Sequence, residues 1–599
     1  MIKKLKLILD LLNKREKRQL IFVLFALLVM GFIELIGVGS ISPFISVVSN
    51  PSVIHTNAYL NKIYTHFNFS SDSSFIIAFG IVVIGVIAFS NLCLAFVSFI
   101  IYYYSGKRLH SISMRMLEKY LRQPYVFYLN TNSADLSKTL FTEVHTFVNR
   151  VLMVSLQLIS SFIISLGIVI LLIIINPLLA LMVSFMLASA YFIIYFLIKN
   201  SLTRKGKEKA TLNFLRFKYI NETFGGIKDI KILGKEKVFL NFFSEPSKKY
   251  AMNDAVSDAI NDLPKFLLET IVFGGILGII IYRINAGTKI ESFLPLLTVY
   301  AFGAYRLLPS LQKIFKAIAG IRYNLPVVKN LYNHLIELPD GEGLDNDSYK
   351  LPVNNNIFLK NIEFKYPNTN KDVIKKQSLQ IKVNTSIAFV GSTGCGKTTL
   401  VDIILGLLEP QNGSIIIDDI VITNKNRKSW QKNLGYVPQF IYLTDDTIRN
   451  NIAFGMEPDK IEDGAVIKAA KLANIHDFIT NELEKGYDTI IGDRGIRLSG
   501  GQRQRIGIAR AVYHDPSVLI LDEATSALDS ITENAIIDAI NNMNHKKTII
   551  MIAHRLTTVK FCDIIYLMEK GVITDQGNHE ELYKKNKFFR KMADGKDRS

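Results

Sequence analysis

The sequence predicts a multidomain chain: an all-α, six-span transmembrane domain over 1–339, a polar linker over 340–356, and an α/β nucleotide-binding domain with a phosphate-binding loop over 357–599. Three observations carry this. Six apolar runs, each near the 20 residues that cross a hydrocarbon core of about 30 Å, fall within the first 311 residues. A G-x-x-x-x-G-K-[ST] pattern stands between a short apolar strand and an apolar helix. Charge is divided unevenly, with 36 Lys and Arg against 18 Asp and Glu up to Pro339, and 34 against 34 from Asp340 onward.

Composition excludes other classes. At 599 residues the chain is too long for one core. With 49% hydrophobic and 20% charged residues and a mean hydropathy of +0.24, it is not a disordered chain and fits a membrane protein with a soluble part. Cys93, Cys395 and Cys562 are far apart and lack metal-ligand spacing, which excludes a disulfide scaffold and a zinc module. The net charge of +18 lies wholly in the membrane half. It marks basic loops beside a bilayer, and no nucleic-acid partner is expected.

The N-terminal arm carries Lys3, Lys4, Lys6, Lys14, Arg15, Lys17 and Arg18 ahead of the apolar run 20–48, which is too long for a cleaved signal and reads as a retained first helix. Next, Tyr59, Leu60, Ile63, Tyr64 and Phe67 recur at helical spacing. They predict a short helix on the outer face, its apolar stripe either in the interface or packed on its own spans. The remaining runs cover 75–104, 153–175, 178–198, 266–282 and 293–311, with only Asn176-Pro177 as a hairpin between the third and fourth.

Lys and Arg concentrate in the N-terminal arm and in the connections 105–152 and 199–265. The positive-inside rule therefore places both termini and these two long connections in the cytoplasm. Both connections keep helical periodicity, so the flanking helices should extend into the cytoplasm and turn back around 127–135 and 221–231. Asn130, Asn132, Ser133 and Asp135 are turn and cap formers at the first turn, and Gly225-Gly226 breaks the helix at the second.

In the soluble half, the apolar strand 386–390 runs into Gly391-Ser392-Thr393-Gly394-Cys395-Gly396-Lys397-Thr398 and an apolar helix that starts at Thr399. Glycines let backbone N–H groups wrap the β- and γ-phosphates, the helix N-terminus adds its dipole, Lys397 neutralises charge, and the Thr398 hydroxyl can hold Mg²⁺. A second strand, 518–521, ends in Asp522-Glu523. Asp522 is placed to bind Mg²⁺, and Glu523 to orient and polarise an attacking water.

Leu498-Ser499-Gly500-Gly501-Gln502 resembles the signature of ATP-binding cassette proteins, and the family's other motifs follow in order from about 357 to 585. Tyr366 resembles the aromatic that stacks on adenine, Gln439 the glutamine that contacts Mg²⁺ and water, Ser526-Ala527-Leu528-Asp529 the loop that crosses to the partner cassette, and His554 the switch histidine on the γ-phosphate. Asn384 stands where many members carry glycine, and asparagine tolerates the left-handed turn. Ser499 and the N–H groups of Gly500 and Gly501, opening a helix near Gln502, form a second anion site. The resemblance implies two ATP, with Mg²⁺, sandwiched between two cassettes. Both elements are intact here, so a symmetric homodimer is expected.

Six spans ahead of one cassette resemble the exporter half-transporter, in which ATP hydrolysis is coupled to transmembrane transport and the two cytoplasmic turns act as coupling helices. The membrane half, with Gly31-Phe32-Ile33-Glu34 leading to Ser42-Pro43-Phe44-Ile45 and with Ala304 to Ser310, is similar to bacterial flippases for lipid-linked oligosaccharides. That resemblance implies the bacterial cytoplasmic membrane, a polyprenyl-pyrophosphate glycan as substrate, and Lys265 and Arg306 as substrate contacts; a lipid A or phospholipid flippase and a drug or peptide exporter are the alternatives. Arg306 lies deep in the sixth run, where an unpaired charge is costly. Either Glu34 or Glu269 pairs with it structurally, or it faces ligand. Lys265, after Pro264 at a span end, is equally open to snorkelling.

Overall fold

The computed structural model describes residues 2–599 except 176, 286–289, 344–348, 368, 524–532, 534–536, 539, 541–542, 554 and 595–599. The chain divides into two compact units, one of Met1–Gln123 with Asn130–Gly341, the other of Pro124–Leu129 with Glu342–Ser599.

The first unit is helical throughout. Its long helices are α1 (Lys14–Gly39), α2 (Asp72–Leu121), α3 (Met153–Ile175), α4 (Pro177–Gly225), α5 (Glu236–Asn285) and α6 (Ile290–Tyr323), and they carry the six apolar runs. Among the described residues four stretches are long and apolar enough to cross a membrane, Lys14–Gly37, Asp72–Leu121, Ser133–Ile174 and Val183–Gly225. Exposed Phe22, Phe25 and Phe32 on α1, Ile84 and Phe96 on α2, and Phe185 on α4 give these helices an apolar outer side, as lipid requires. Inside, α3 packs on α6 and α1, α2 on α1, and α4 on α5. A Cβ on Gly167 would lie 2.4 Å from Leu35, and one on Gly31 2.5 Å from Ile163, so small residues set the α1–α3 approach.

The long helices run past their apolar segments, and they break where the local chemistry demands. α2 ends at Leu121, a five-residue helix follows at Tyr125–Leu129, and the Asn132 side chain accepts from Ala134 N to start the next at Ser133. That restart passes through two π-helical segments, Thr139–Glu143 and Val148–Leu152, before α3. Further on, α4 ends at Gly225, and a short helix Ile227–Leu233 closes on Gly234 at φ 60°. The Asn176 hairpin position lies outside the described residues.

The predicted outer helix forms at Ala58–His66, capped by Asn57, which accepts from Tyr59 N and Leu60 N. Its stripe divides. Leu60 and Tyr64 pack on the Val47–Ile54–Phe75 cluster, whereas Tyr59, Ile63 and Phe67 are exposed. The packed reading therefore holds for Leu60 and Tyr64, and the other three side chains are left open.

The second unit has a six-stranded sheet ordered β10-β9-β3-β8-β7-β6, with β10 (Val572–Gly577) at its edge, and a four-stranded sheet ordered β2-β1-β4-β5, with β5 (Ile420–Val421) at its edge. In the first, β3 (Ser386–Gly391) runs parallel to β8 (Thr548–Ile552) and β9 (Ile564–Glu569), and β7 (Val518–Asp522) lies parallel between β8 and β6 (Leu434–Val437). β3, β7 and β8 are buried at every position, the mark of central parallel strands. The smaller sheet begins with β1 (Asn356–Phe364) paired antiparallel to β2 (Ile374–Lys382) and β4 (Asn412–Ile417). Trp430 is fully buried between the layers and donates its ring N–H to Ile404 O at 2.7 Å. Val126 of the Pro124–Leu129 segment packs against this core too.

Candidate functional site

β3 delivers the phosphate-loop residues and α7 (Lys397–Ile404) receives them. Gly394 at φ 75° and Gly396 at φ 105° take the left-handed conformations that turn the loop. Gly396 also leaves no room for a side chain, since a Cβ there would lie 2.9 Å from Ile374. Lys397 opens α7 and is nearly buried, its ammonium donating to Gly391 O at 2.8 Å and Ser392 O at 3.1 Å. The cation is thus held inside the loop, with Ser392, Thr393, Gly394 and Thr398 exposed on the rim and Cys395 buried beneath. Thr399 faces inward, and its hydroxyl lies 3.1 Å from the Tyr366 hydroxyl. Tyr366 stands edge-on to Phe364 at 5.1 Å, so the aromatic expected to meet adenine is tied to the helix that follows the phosphate loop. Asn384 adopts φ 58°, as expected for its turn.

Asp522 ends β7 one strand away from the loop, β8 intervening. Burial pushes its carboxyl up to about 6, the adjacent Glu523 charge adds to the rise, and Lys397 opposes it. Asp402, on α7, is raised to about 6 by burial and then by the charge of Asp522. Buried carboxylates raised in this way mark a site short of positive charge, which a divalent cation would supply. Glu523 is held at φ 49°, a left-handed conformation seldom taken by a residue of its kind, by its N–H donating to Ile552 O at 3.0 Å. Gln439 Nε2 donates to Glu523 Oε2 at 2.6 Å, which leaves the amide oxygen of Gln439 as the group able to face a metal. The donors of Thr398, Gln439 and Asp522 are all oxygens and suit Mg²⁺, which keeps several waters and needs no all-protein cage; among the described residues no cluster of three His, Cys, Asp or Glu builds one.

The signature segment starts α8 (Gly500–Val512), two residues earlier than the sequence suggests. Ser499 Oγ accepts from Gln502 N at 3.2 Å and Gln502 Oε1 accepts from Ser499 N at 2.8 Å, a capping box. Gln502 is therefore committed to the helix start. Around Gly500 a Cβ would meet nothing within 4 Å, so the first turn's N–H groups are open to an approaching anion. His554 and the loop Ser526 to Asp529 lie outside the described residues.

In the membrane unit, Arg306 Nη1 lies 3.6 Å from Glu34 Oε1. Both line a cavity of about 460 Å³ with Gln157, Ser160, Ser161, Ser310 and Lys313 among its walls. Lys265 is not brought there. It is exposed, its ammonium sits 5.8 Å from the Phe266 ring centre, and it does not line the Arg306 cavity. Pro264 is buried, and Lys265 takes the next, outward-facing position of α5. Of the two acids weighed for Arg306, the structure selects Glu34.

Residues 374–526 match the protein family described as ABC transporter, and residues 20–302 the one described as ABC transporter transmembrane region. The ATP-dependent lipid A-core flippase of Ralstonia nicotianae is 30% identical over 490 residues, 81% of this chain and 81% of that protein. The chain belongs to the ABC transporter family. Heavy metal tolerance factor 1 of Caenorhabditis elegans is 35% identical over 360 residues, 59% of this chain but only 44% of that protein. The matched part spans 17% of P-glycoprotein 14 from the same organism, at 45% identity over 38% of this chain. A bacterial Atm1-family ABC exporter solved with ATP bound superposes at a TM-score of 0.78, covering 98% of this chain and 100% of that one at 21% identity, which establishes the exporter fold.

Within this ABC transporter, sequence reasoning missed four polar residues. Asp402 lies five residues past the phosphate-loop lysine, and nothing in its spacing shows that it will face Asp522 from another element. Tyr436 hydrogen-bonds Asp522 and has its hydroxyl driven up by burial. Ser310 and Lys313 had a usable signal, since they follow Arg306 at i+4 and i+7 and must share its helix face.

Proposed function

We propose that this ABC transporter is an ATP-driven translocase of the bacterial cytoplasmic membrane, working as a homodimer with both termini in the cytoplasm and flipping an anionic glycolipid toward the outer leaflet. The observation that supports it most is the joining, in one chain, of a phosphate loop closed around Lys397 and an Asp522–Glu523 strand end to six long apolar helices with a charged cavity among them. In this reading Lys397 and the loop N–H groups bind the β- and γ-phosphates, Tyr366 meets the base, and Ser499 with the start of α8 meets the γ-phosphate held by the partner. Mg²⁺ at Thr398, Gln439 and Asp522 would neutralise charge developing on the phosphates. Glu523, fixed by Gln439, orients the water and draws its proton. His554 holds the γ-phosphate. Closure of two cassettes reaches the membrane helices through the short helices Tyr125–Leu129 and Ile227–Leu233; the first groups with the cassette unit, and the second exposes Ile232 and Leu233.

For the substrate, the outer helix with Tyr59, Ile63 and Phe67 exposed and the cationic cavity at Arg306 support a polyprenyl-pyrophosphate glycan, whose phosphates need pairing inside the membrane. The similarity to a lipid A-core flippase over most of both chains favours a second reading, a lipid A-type phosphorylated glycolipid. Purified protein in nanodiscs should hydrolyse ATP faster when given the correct glycolipid. Stimulation by the polyprenyl compound supports the first reading, by the lipid A-type compound the second, and by neither, with drug stimulation instead, would reject both.

A further inference from the structure

The charges of the Arg306 cavity are not equivalent. Arg306 is already neutralised by Glu34. Lys313, two helical turns along the same face of α6, lines the same cavity. It also lines a neighbouring one of about 470 Å³, where Lys209 is paired with Asp254 and Lys316 with Asp262. Among the described residues no carboxylate lies within ion-pair distance of Lys313. It is exposed, just past the sixth apolar run, and although Glu34 and Asp258 stand among the walls of the two cavities its ammonium is committed to no ion pair, so it can meet an anion that enters.

Glu34 supplies the opposite feature. It is 6% exposed, its Oε1 faces Arg306, and its Oε2 has no hydrogen-bond partner although it is buried. A buried carboxylate oxygen left open on a cavity wall is an acceptor waiting for a donor. Gln157, Ser160 and Ser161 line the same space and can give or take hydrogen bonds.

We propose that this cavity is a two-part headgroup site for a phosphorylated sugar, in which Lys313 takes the phosphate and Glu34, held in place by Arg306, accepts from a sugar hydroxyl or amide. This rests on the glycolipid reading above and deepens it by moving the phosphate contact from Arg306 to Lys313. The charge count agrees. With the Glu34–Arg306 pair intact the cavity keeps one positive charge, that of Lys313, to offer a phosphate, and Arg306 acts as the orienting partner of an acceptor.

The test uses the full-length protein in nanodiscs of neutral lipid and three probes: a short-chain prenyl phosphate, the same prenyl phosphate carrying one N-acetylhexosamine, and an uncharged prenyl glycoside of that sugar. Lys313→Met should weaken both phosphates about tenfold or more, the loss of one charge-assisted contact. Lys313→Arg should restore them. Binding of the uncharged glycoside should stay within about twofold of wild type, which also shows that the variant is folded. Glu34→Gln should shrink the advantage of the sugar phosphate over the bare phosphate while strengthening the bare phosphate, because Arg306 is released. If Lys313→Met binds both phosphates like wild type and Arg306→Met loses them, the inference is overturned and the transport reading stands. A wild type that binds none of the three probes, while a cationic drug stimulates its ATPase, overturns both.

Discussion

In the proposed mechanism Glu523 carries the chemistry with the least redundancy. Glu523→Gln keeps the size and a partner for Gln439 but removes the base, so hydrolysis should fall about 100-fold or more while nucleotide binding persists, read by fluorescent-nucleotide titration beside phosphate release. Wild-type turnover would remove Glu523 from the role. Lys397→Ala should act on binding instead, weakening nucleotide affinity about tenfold or more as the loop loses its only buried ammonium. The raised Asp522 carboxyl gives a pH dependence with a definite sign. Above about 6 it is charged and open to Mg²⁺; as pH falls through about 6 a proton takes the place, so the Mg²⁺ needed for half-maximal hydrolysis should climb. A Mg²⁺ requirement flat from pH 7.5 to 5.5 would contradict this. The phosphate loop, Asp522 and Glu523 were legible because each is a short motif with its own strand. Asp402 and Tyr436 were not, because their link to Asp522 is made only when separate elements meet.

At the scale of elements, the long helices are held by buried acids that no local pattern reveals. Glu16 is 3% exposed, caps the start of α1 through Asn13, and faces Arg108 at 3.2 Å and Arg115 at 3.3 Å. In sequence it is one acid among basic neighbours; in space it ties the N-terminal arm to α2. Removing it strands two guanidinium groups, and Glu16→Ala should lower the stability of the membrane unit by about 3 kcal/mol, seen as a lower Tm in detergent; an unchanged Tm would argue against the network. Similarly, Glu143 accepts from Lys138 at 3.1 Å and Asn330 at 2.6 Å, beside the Tyr120–His334 hydrogen bond of 2.8 Å. The outer helix invites a contrast. Tyr59, Ile63 and Phe67 changed together to Ser should leave Tm alone and abolish stimulation of ATPase by glycolipid, whereas Leu60→Ala with Tyr64→Ala should lower Tm. Helical periodicity revealed this stripe, and only packing could divide it.

The whole molecule joins a fold that the sequence displayed almost entirely to a substrate site that it displayed poorly. Apolar run length and basic loops announced the membrane helices, and co-ordered motifs announced the cassette, because both are repeated local signals. The cavity is different in kind. Arg306 stood out as a charge in an apolar run, but its pairing with Glu34 and the place of Lys313 beside the same cavity depend on how α1, α3 and α6 face one another. The proposed activity requires that ATP hydrolysis in the cassette move a phosphorylated glycolipid across a bilayer. Its most direct test is to place the full-length protein in liposomes and follow the loss of one leaflet's labelled glycolipid to a membrane-impermeant reagent, for wild type and Glu523→Gln, with and without ATP. ATP-dependent movement by wild type and none by Glu523→Gln is the result expected. Hydrolysis by wild type with no glycolipid movement, or equal movement by both proteins, would contradict the account.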